Sequence, residues 1–475
     1  MGPFRQLLHA HRFSTKFDTH GYSVIPPNKR RLVPISGAYP KGFNVGSIHT
    51  GIKQTGASQP DLVIVARYRF EWRRRFDQKR VPSDFYHCQP RLSPGDKRLW
   101  AEGRCCQFGV RKHSHRPCRS GRCRCHGQRG CQAFAAPGQP RPELLLYVGH
   151  TYWSWWSTVS QGIPINTQEG LPLVDNGPSL PIDNILATIP KLCLSLGNSH
   201  GHWLEAATGL CTIDIFPKLL SRTFNLPSGS AGSTFSIAGI TKGAGMVCPN
   251  KATNLGIICT DAPVTPQALQ KALCVAADKS YNSISIDSDT STNDMVAVFA
   301  NGATAPAGMA PVDAGRPSDD YLAFQHVLEL FMADMAKLVV RDAEGASKFI
   351  TIRVRGGPRD SPDWNKAAQR IASVIARSTL VKTALYGGEA TWSGILAALG
   401  YSLLDTRFAR QRLIVPASTS ISFANKETRS ICKSFDKGVP VRVAAGAVEE
   451  LMSHEDIEVI VDLRDGETSS GEVEF

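Results

Sequence analysis

The chain has 475 residues, 42% apolar and 20% charged, which is material for more than one large core and the balance of a soluble globular protein. No run reaches 18 consecutive apolar residues, so no membrane-spanning helix is expected. The formal charge of +13 would suggest a nucleic-acid or membrane partner if it were spread over the fold. However, the stretch from Arg67 to Glu143 alone holds 19 Lys and Arg against 6 Asp and Glu, so the remainder is neutral and neither partner is expected.

In chain order, the first seventeen residues carry Arg5, Arg12 and Lys16 with no acid before Asp18, and Phe4, Leu7 and Leu8 fall on one helical face. This is the composition of a mitochondrial presequence over residues 1–20; an ordinary unstructured arm is the bland alternative. Pro60-Asp-Leu-Val-Ile-Val-Ala66 reads as a strand leaving a turn. From there to about Gly170 neither helical nor strand periodicity survives, and residues 67–170 form an Arg- and Cys-rich segment from which no core can be drawn.

Three readings compete for that segment. A zinc module would use Cys118, Cys123, Cys125 and Cys131 with His113, His115 or His126, but the C-x4-C-x-C-x5-C spacing lacks the usual C-x2-C pairs. An arginine-rich RNA-binding arm fits the charge. Codons read out of frame fit best the abrupt switch to Arg, Cys, Trp and His. The six cysteines outside the segment are scattered singly, which points to a reducing compartment.

From Leu180 onward the patterns are orderly. Ser195 to Ala207 reads as a turn leading into a helix, so His200-Gly-His202 is placed at a helix start rather than on a metal. Thr234 to Thr241 alternates as a strand, and Leu255 to Cys259 is a short buried strand. Asp287, Asp289 and Asp294 have metal-like D-x-D-x4-D spacing but read as a turn network. Tyr321 to Val339 is helical, with Leu322, Phe324, Leu328, Phe331, Met335 and Leu338 on one face. Ser347 to Arg355 is a strand with Ile350, Ile352 and Val354 inward, and Trp364 to Ser378 a helix. Serine-rich Pro416 to Ser422 reads as a loop, and Ile457 to Leu463 as a strand. Helices alternating with amphipathic strands predict a layered α/β fold.

The densest chemistry lies in Lys242-Gly-Ala-Gly-Met-Val-Cys-Pro-Asn-Lys-Ala-Thr253, which runs into the strand at Leu255. A threonine after a small residue, behind a glycine-rich turn, can become a new N-terminal nucleophile when the Ala252–Thr253 bond is cut. The freed α-amino group, of pKa near ~8, then serves as its base. On local sequence alone Thr253 could be a strand-leading threonine after a Pro-Asn turn. By the same reasoning Lys242 would be a solvated turn lysine and Glu344 a turn carboxylate. The glycine pair is no phosphate loop, since G-x-x-x-x-G-K-[ST] is absent.

This stretch resembles the self-cleavage segment of the ornithine acetyltransferase (ArgJ) family. Five more segments resemble that family in the same order: Pro34 to Phe43, Leu180 to Leu186, Ile286 to Asp294, Val340 to Phe349, and Leu380 to Ala384. The resemblance implies a helix-sheet-sheet-helix sandwich, shared with self-processing aminopeptidases. It implies a mitochondrial-matrix acyltransferase of arginine biosynthesis, cut into an α-chain (21–252) and a β-chain (253–475) that pair as a heterodimer and assemble further as a heterotetramer. Thr253 would take acetyl from N2-acetylornithine and pass it to glutamate, with acetyl-CoA a second donor in some members and no metal or organic cofactor. Lys242 and Glu344 would bind the substrate's carboxylate and α-ammonium.

Several positions depart from the family pattern. The oxyanion Thr and Gly fall on Leu173 and Val174, with only Gly177 matching, and a leucine side chain donates no hydrogen bond. Ile215 stands where the family has a substrate-contacting Thr, Lys251 where it has Met, and Thr391-Trp-Ser-Gly394 where it has Asn-Trp-Gly-Arg. The family's last Asn and Thr find no counterpart before Phe475, which reads as a truncated or reframed end. These losses keep two other readings open: a catalytically impaired relative that acts only by binding, and a self-processing aminopeptidase.

Overall fold

The computed structural model describes residues 25–51, 60–67, 182–229, 233–248, 255–289, 295–315, 318–356, 364–402 and 414–463, and, as backbone alone, 131–135, 144–148, 155–156 and 473–474. The strands are β1 (Phe43–Ile48), β2 (Leu62–Arg67), β3 (Cys131–Ala135), β4 (Leu144–Val148), β5 (Trp155–Trp156), β6 (Lys218–Phe224), β7 (Phe235–Lys242), β8 (Leu255–Thr260), β9 (Met295–Ala300), β10 (Phe349–Arg355), β11 (Ser420–Asn425), β12 (Ser430–Asp436), β13 (Val439–Pro440), β14 (Asp456–Asp462) and β15 (Val473–Glu474). The helices are α1 (Ile182–Ser195), α2 (His200–Leu210), α3 (Pro266–Asp278), α4 (Asp319–Val340), α5 (Trp364–Ala376), α6 (Thr379–Tyr386), α7 (Trp392–Ser402) and α8 (Ala445–Ser453). They fall into two compact units.

The first unit holds an antiparallel sheet in the order β1-β2-β4-β5 with α1 and α2. Leu62, Ile64 and Ala66 alternate onto one face of β2 and meet Ile185, Ile189, Leu192 and Cys193 of α1. Ser199 caps α2, its Oγ accepting from His202 N at 3.5 Å and lying 2.6 Å from His202 Nδ1. His200-Gly-His202 is therefore a helix start, as its sequence indicates. The zinc-like cysteines and histidines lie outside the described side chains.

In the second unit a mixed five-stranded sheet runs β3-β9-β8-β7-β6. β6, β7 and β8 are antiparallel neighbours, while β8, β9 and β3 run parallel. β8 is buried at all six residues because it has a strand on either side. Helices α3 and α4 cover one face, packing Leu269, Leu273, Phe324, Leu328, Phe331 and Met335 against Phe235, Ile237, Ile258 and Val298. A Cβ on Gly239 of β7 would lie 3.0 Å from the Phe331 ring and 3.2 Å from Met335, so that glycine permits the close approach of α4. Leu322 departs from expectation: it is 55% exposed, and Met332 and Val339 complete the buried stripe instead.

A second sheet, ordered β13-β12-β11-β14-β10-β15, carries its own core with α5, α6, α7 and α8. Here the sequence reading of Pro416 to Ser422 as a loop is corrected. Pro416–Ser418 is a 3-10 turn, and β11 begins at Ser420, between β12 and β14. Ile421 and Phe423 are fully buried, and this period-two burial overrides the serines' preference for loops. The layered α/β class is what the structure shows, with helices on every described core.

Candidate active site

The site lies at one end of the five-stranded sheet. Lys218 opens β6 opposite Thr241, and Lys242 closes β7 opposite Leu255, the first residue of β8. Thr241 Oγ1 donates to Leu255 O at 3.0 Å, which pins the start of β8. Residues 243–254 thus form the connection between two paired strand ends. Lys242 is buried, 2% exposed, so it is no solvated turn lysine.

The turn after Lys242 has an unusual backbone. Gly243 has φ 146° and Met246 φ 53°, both in the region that side chains rarely adopt. Gly245 sits between two acids: a Cβ there would be 3.7 Å from Asp287 Oδ2 and 3.7 Å from Glu344 Oε1. Asp287 accepts from Met246 N at 2.5 Å through Oδ2, and from Val247 N and Asp289 N at 3.1 Å each through Oδ1. Ile286 N donates to Val247 O at 2.8 Å. The expected turn network is therefore present at Asp287 and Asp289, whereas Asp294 lies outside the described residues.

Glu344 reaches the turn from the far end of α4, its backbone N donating to Ala244 O at 3.2 Å while its side chain stays exposed. Two ion pairs place it. Asp342 is paired with Lys218, both side chains at 0% exposure. Arg341 holds Asp456 through two hydrogen bonds of 2.8 and 2.9 Å and stacks 4.0 Å from the Phe349 ring centroid. Lys382 of α6 donates to Ile286 O beside Asp287. Burial pushes the Cys248 thiol up, and the positive charge of Arg377 offsets part of that rise.

Lys242 thus leads directly into the glycine turn whose Ala244 carbonyl accepts from the Glu344 amide. Ile215 is half-buried in the first unit, in the loop after α2, beside Asp214, whose Oδ2 accepts from Thr212 N at 3.0 Å. Thr391-Trp-Ser-Gly394 forms the start of α7. Leu173, Val174, Gly177, Lys251, Ala252 and Thr253 lie outside the described residues; Thr253 falls two residues before Leu255. In the sequence Lys382 stands only inside a segment that resembles the family. Its role was not legible, because its partner lies 96 residues upstream.

A family model described as "ArgJ family" matches residues 176–473, a span that takes in Lys242, Asp287, Glu344 and Lys382. The mitochondrial arginine biosynthesis bifunctional protein ArgJ 2 of Sclerotinia sclerotiorum is 46% identical over 469 residues, covering 96% of this chain and 89% of that protein. The mitochondrial ArgJ of Aspergillus terreus is 40% identical over 454 residues, covering 94% and 89%. A crystal structure of ArgJ from Bacillus halodurans matches at 29% identity and a TM-score of 0.36, covering 45% of this chain and 89% of that one. The glycine turn between Lys242 and Leu255, flanked by Glu344, is thus found within a stretch matched end to end by one family, and the chain belongs to the ArgJ family.

Proposed function

We propose that this chain is a mitochondrial glutamate N-acetyltransferase of arginine biosynthesis that first cuts itself at Ala252–Thr253. The observation that carries the reading is the register that sets Lys242 against Leu255 and closes residues 243–254 into one connection, with Glu344 bonded to its Ala244 carbonyl. In the sequence Thr253 stands two residues before Leu255, whose carbonyl accepts from the Thr241 hydroxyl. Relatives named mitochondrial, together with the presequence-like residues 1–20, support the compartment.

In the cleavage step the Thr253 hydroxyl attacks the Ala252 carbonyl. The C–N bond breaks, an ester forms, and the hydroxyl proton passes to the departing α-amine; water then hydrolyses the ester. In transfer, the freed amine takes the hydroxyl proton as Thr253 attacks the acetyl carbon of N2-acetylornithine, then returns that proton to the departing ornithine amine. The glutamate amine attacks the acetyl-threonine ester and regenerates the hydroxyl. Lys242 suits a substrate carboxylate and Glu344 an α-ammonium. Acetyl-CoA is a second acetyl donor, no metal or organic cofactor is called for, and the two products of cleavage assemble as a heterodimer and further as a heterotetramer.

Leucine at 173 in place of an oxyanion hydroxyl favours a second reading, an uncut relative that only binds. Intact mass and N-terminal sequencing of protein from its native host separate the two. Two chains, one beginning at Thr253, support the transferase, whereas a single chain uncut at Ala252–Thr253 overturns it.

A further inference from the structure

We infer that Asp287 is a positioning residue for the self-cleaving segment, acting on the Ala252–Thr253 bond through the backbone of Met246 and Val247. The inference rests on the cleavage reading above. Asp287 grips both amides through its two carboxylate oxygens, at 2.5 and 3.1 Å. Its neighbour Ile286 grips the Val247 carbonyl at 2.8 Å. One dipeptide therefore holds the turn from both the N–H and the C=O side. The Ile286 carbonyl is in turn held by Lys382, near the start of α6, a helix whose cap Ser378 accepts from Val381 N at 3.4 Å. Met246, held at φ 53°, is in a conformation that a methionine keeps only when its surroundings impose it.

The consequence is for the scissile segment. Its downstream side is fixed at Leu255 by strand register and by Thr241. Its upstream side is fixed at Met246–Val247 by Asp287. Residues 248–254, which carry the scissile bond, therefore run between two held points. An oriented reaction of this kind loses roughly a hundredfold in rate for a misplacement of about 1 Å. Asp287 exchanges no proton in the step; the proton moves from the Thr253 hydroxyl to its own departing amine.

The test follows cleavage of the full chain after pulse-labelled cell-free synthesis. Asp287→Asn keeps the side chain's shape but replaces one acceptor oxygen with a donor. It is expected to cut between about tenfold and a hundredfold more slowly than wild type. In an uncut Thr253→Ala background, the same substitution is expected to speed hydrogen exchange at the Met246 and Val247 amides while the unfolding midpoint stays put. Asp320→Asn is the control, because Asp320 also grips a backbone amide, Ser228 N at 2.8 Å, but on a different turn; it is expected to cut at the wild-type rate.

Wild-type cutting by Asp287→Asn, equal slowing by Asp320→Asn, or slow cutting with both amides still protected would each overturn the inference alone. An uncut wild type overturns the cleavage reading and the inference with it. If Asp287→Asn does not fold, Lys382→Met decides: it leaves Asp287 in place and frees only the Ile286 carbonyl, and slowed cutting supports the clamp while wild-type cutting refutes it.

Discussion

Lys218 and Asp342 make a pair whose removal has a calculable size. Both side chains are at 0% exposure, so neither charge is screened by water. Replacing Lys218 by Met fills the space with an apolar chain of similar length but takes the ammonium away from the buried Asp342 carboxylate. Breaking one partner of a buried pair in this way costs about 3–5 kcal/mol. Removing both charges, as in Lys218→Met with Asp342→Leu, is expected to recover most of that loss, because two apolar chains need no partner. The superficially similar Arg222–Asp334 pair is 40% and 38% exposed, so Arg222→Ala is expected to cost under about 1 kcal/mol. Urea unfolding followed by circular dichroism measures all three. Because Asp342 lies two residues before Glu344, Lys218→Met is also expected to raise KM for glutamate. A loss below about 1 kcal/mol for Lys218→Met, or a double variant no more stable than the single one, would refute the assignment of a mutually dependent buried pair.

Glu344→Gln keeps the turn, since the residue's backbone makes the bond to Ala244 and its side chain is exposed. Steady-state kinetics should show KM for both amino-acid substrates raised about tenfold or more, with the unfolding midpoint unchanged. Leu173→Thr with Val174→Gly is expected to raise kcat by about a hundredfold, the size of one restored oxyanion donor, and no increase would mean that these are not the oxyanion positions. Burial in the first unit's core raises the Cys193 thiol from 9.0 to about 11. The folded form therefore keeps its proton where the unfolded form loses it. The associated stability is complete below pH 9 and is lost as pH rises towards about 11; Cys193→Val should flatten that decline in alkaline unfolding curves.

Most of the second unit could be read from periodicity, because its elements bury one face each. α4 and β10 were legible for this reason, although Leu322 showed that a helical stripe drawn by spacing can include a residue the core never reaches. The serine run before β11 misled in the opposite direction, since pairing with β12 and β14 was decided by residues distant in sequence. Lys242 illustrates the limit at the site. Without family resemblance a lysine before two glycines reads as solvated, and only the packing of β7 between β6 and β8 buries it. Asp287 could be recognised as part of a turn network, but not as the holder of a turn 40 residues earlier.

The six-residue register between β7 and β8 makes the proposed cut topologically inconspicuous. Severed at Ala252, the polypeptide becomes two molecules by covalent count while β6, β7, β8 and β9 remain adjacent strands of a single sheet. Separating the halves would break the β7–β8 pairing, so they are expected to stay together on dilution and to part on denaturation. A denaturing gel would count two species where gel filtration counts one, and activity would be independent of concentration in a way that an ordinary heterodimer's is not.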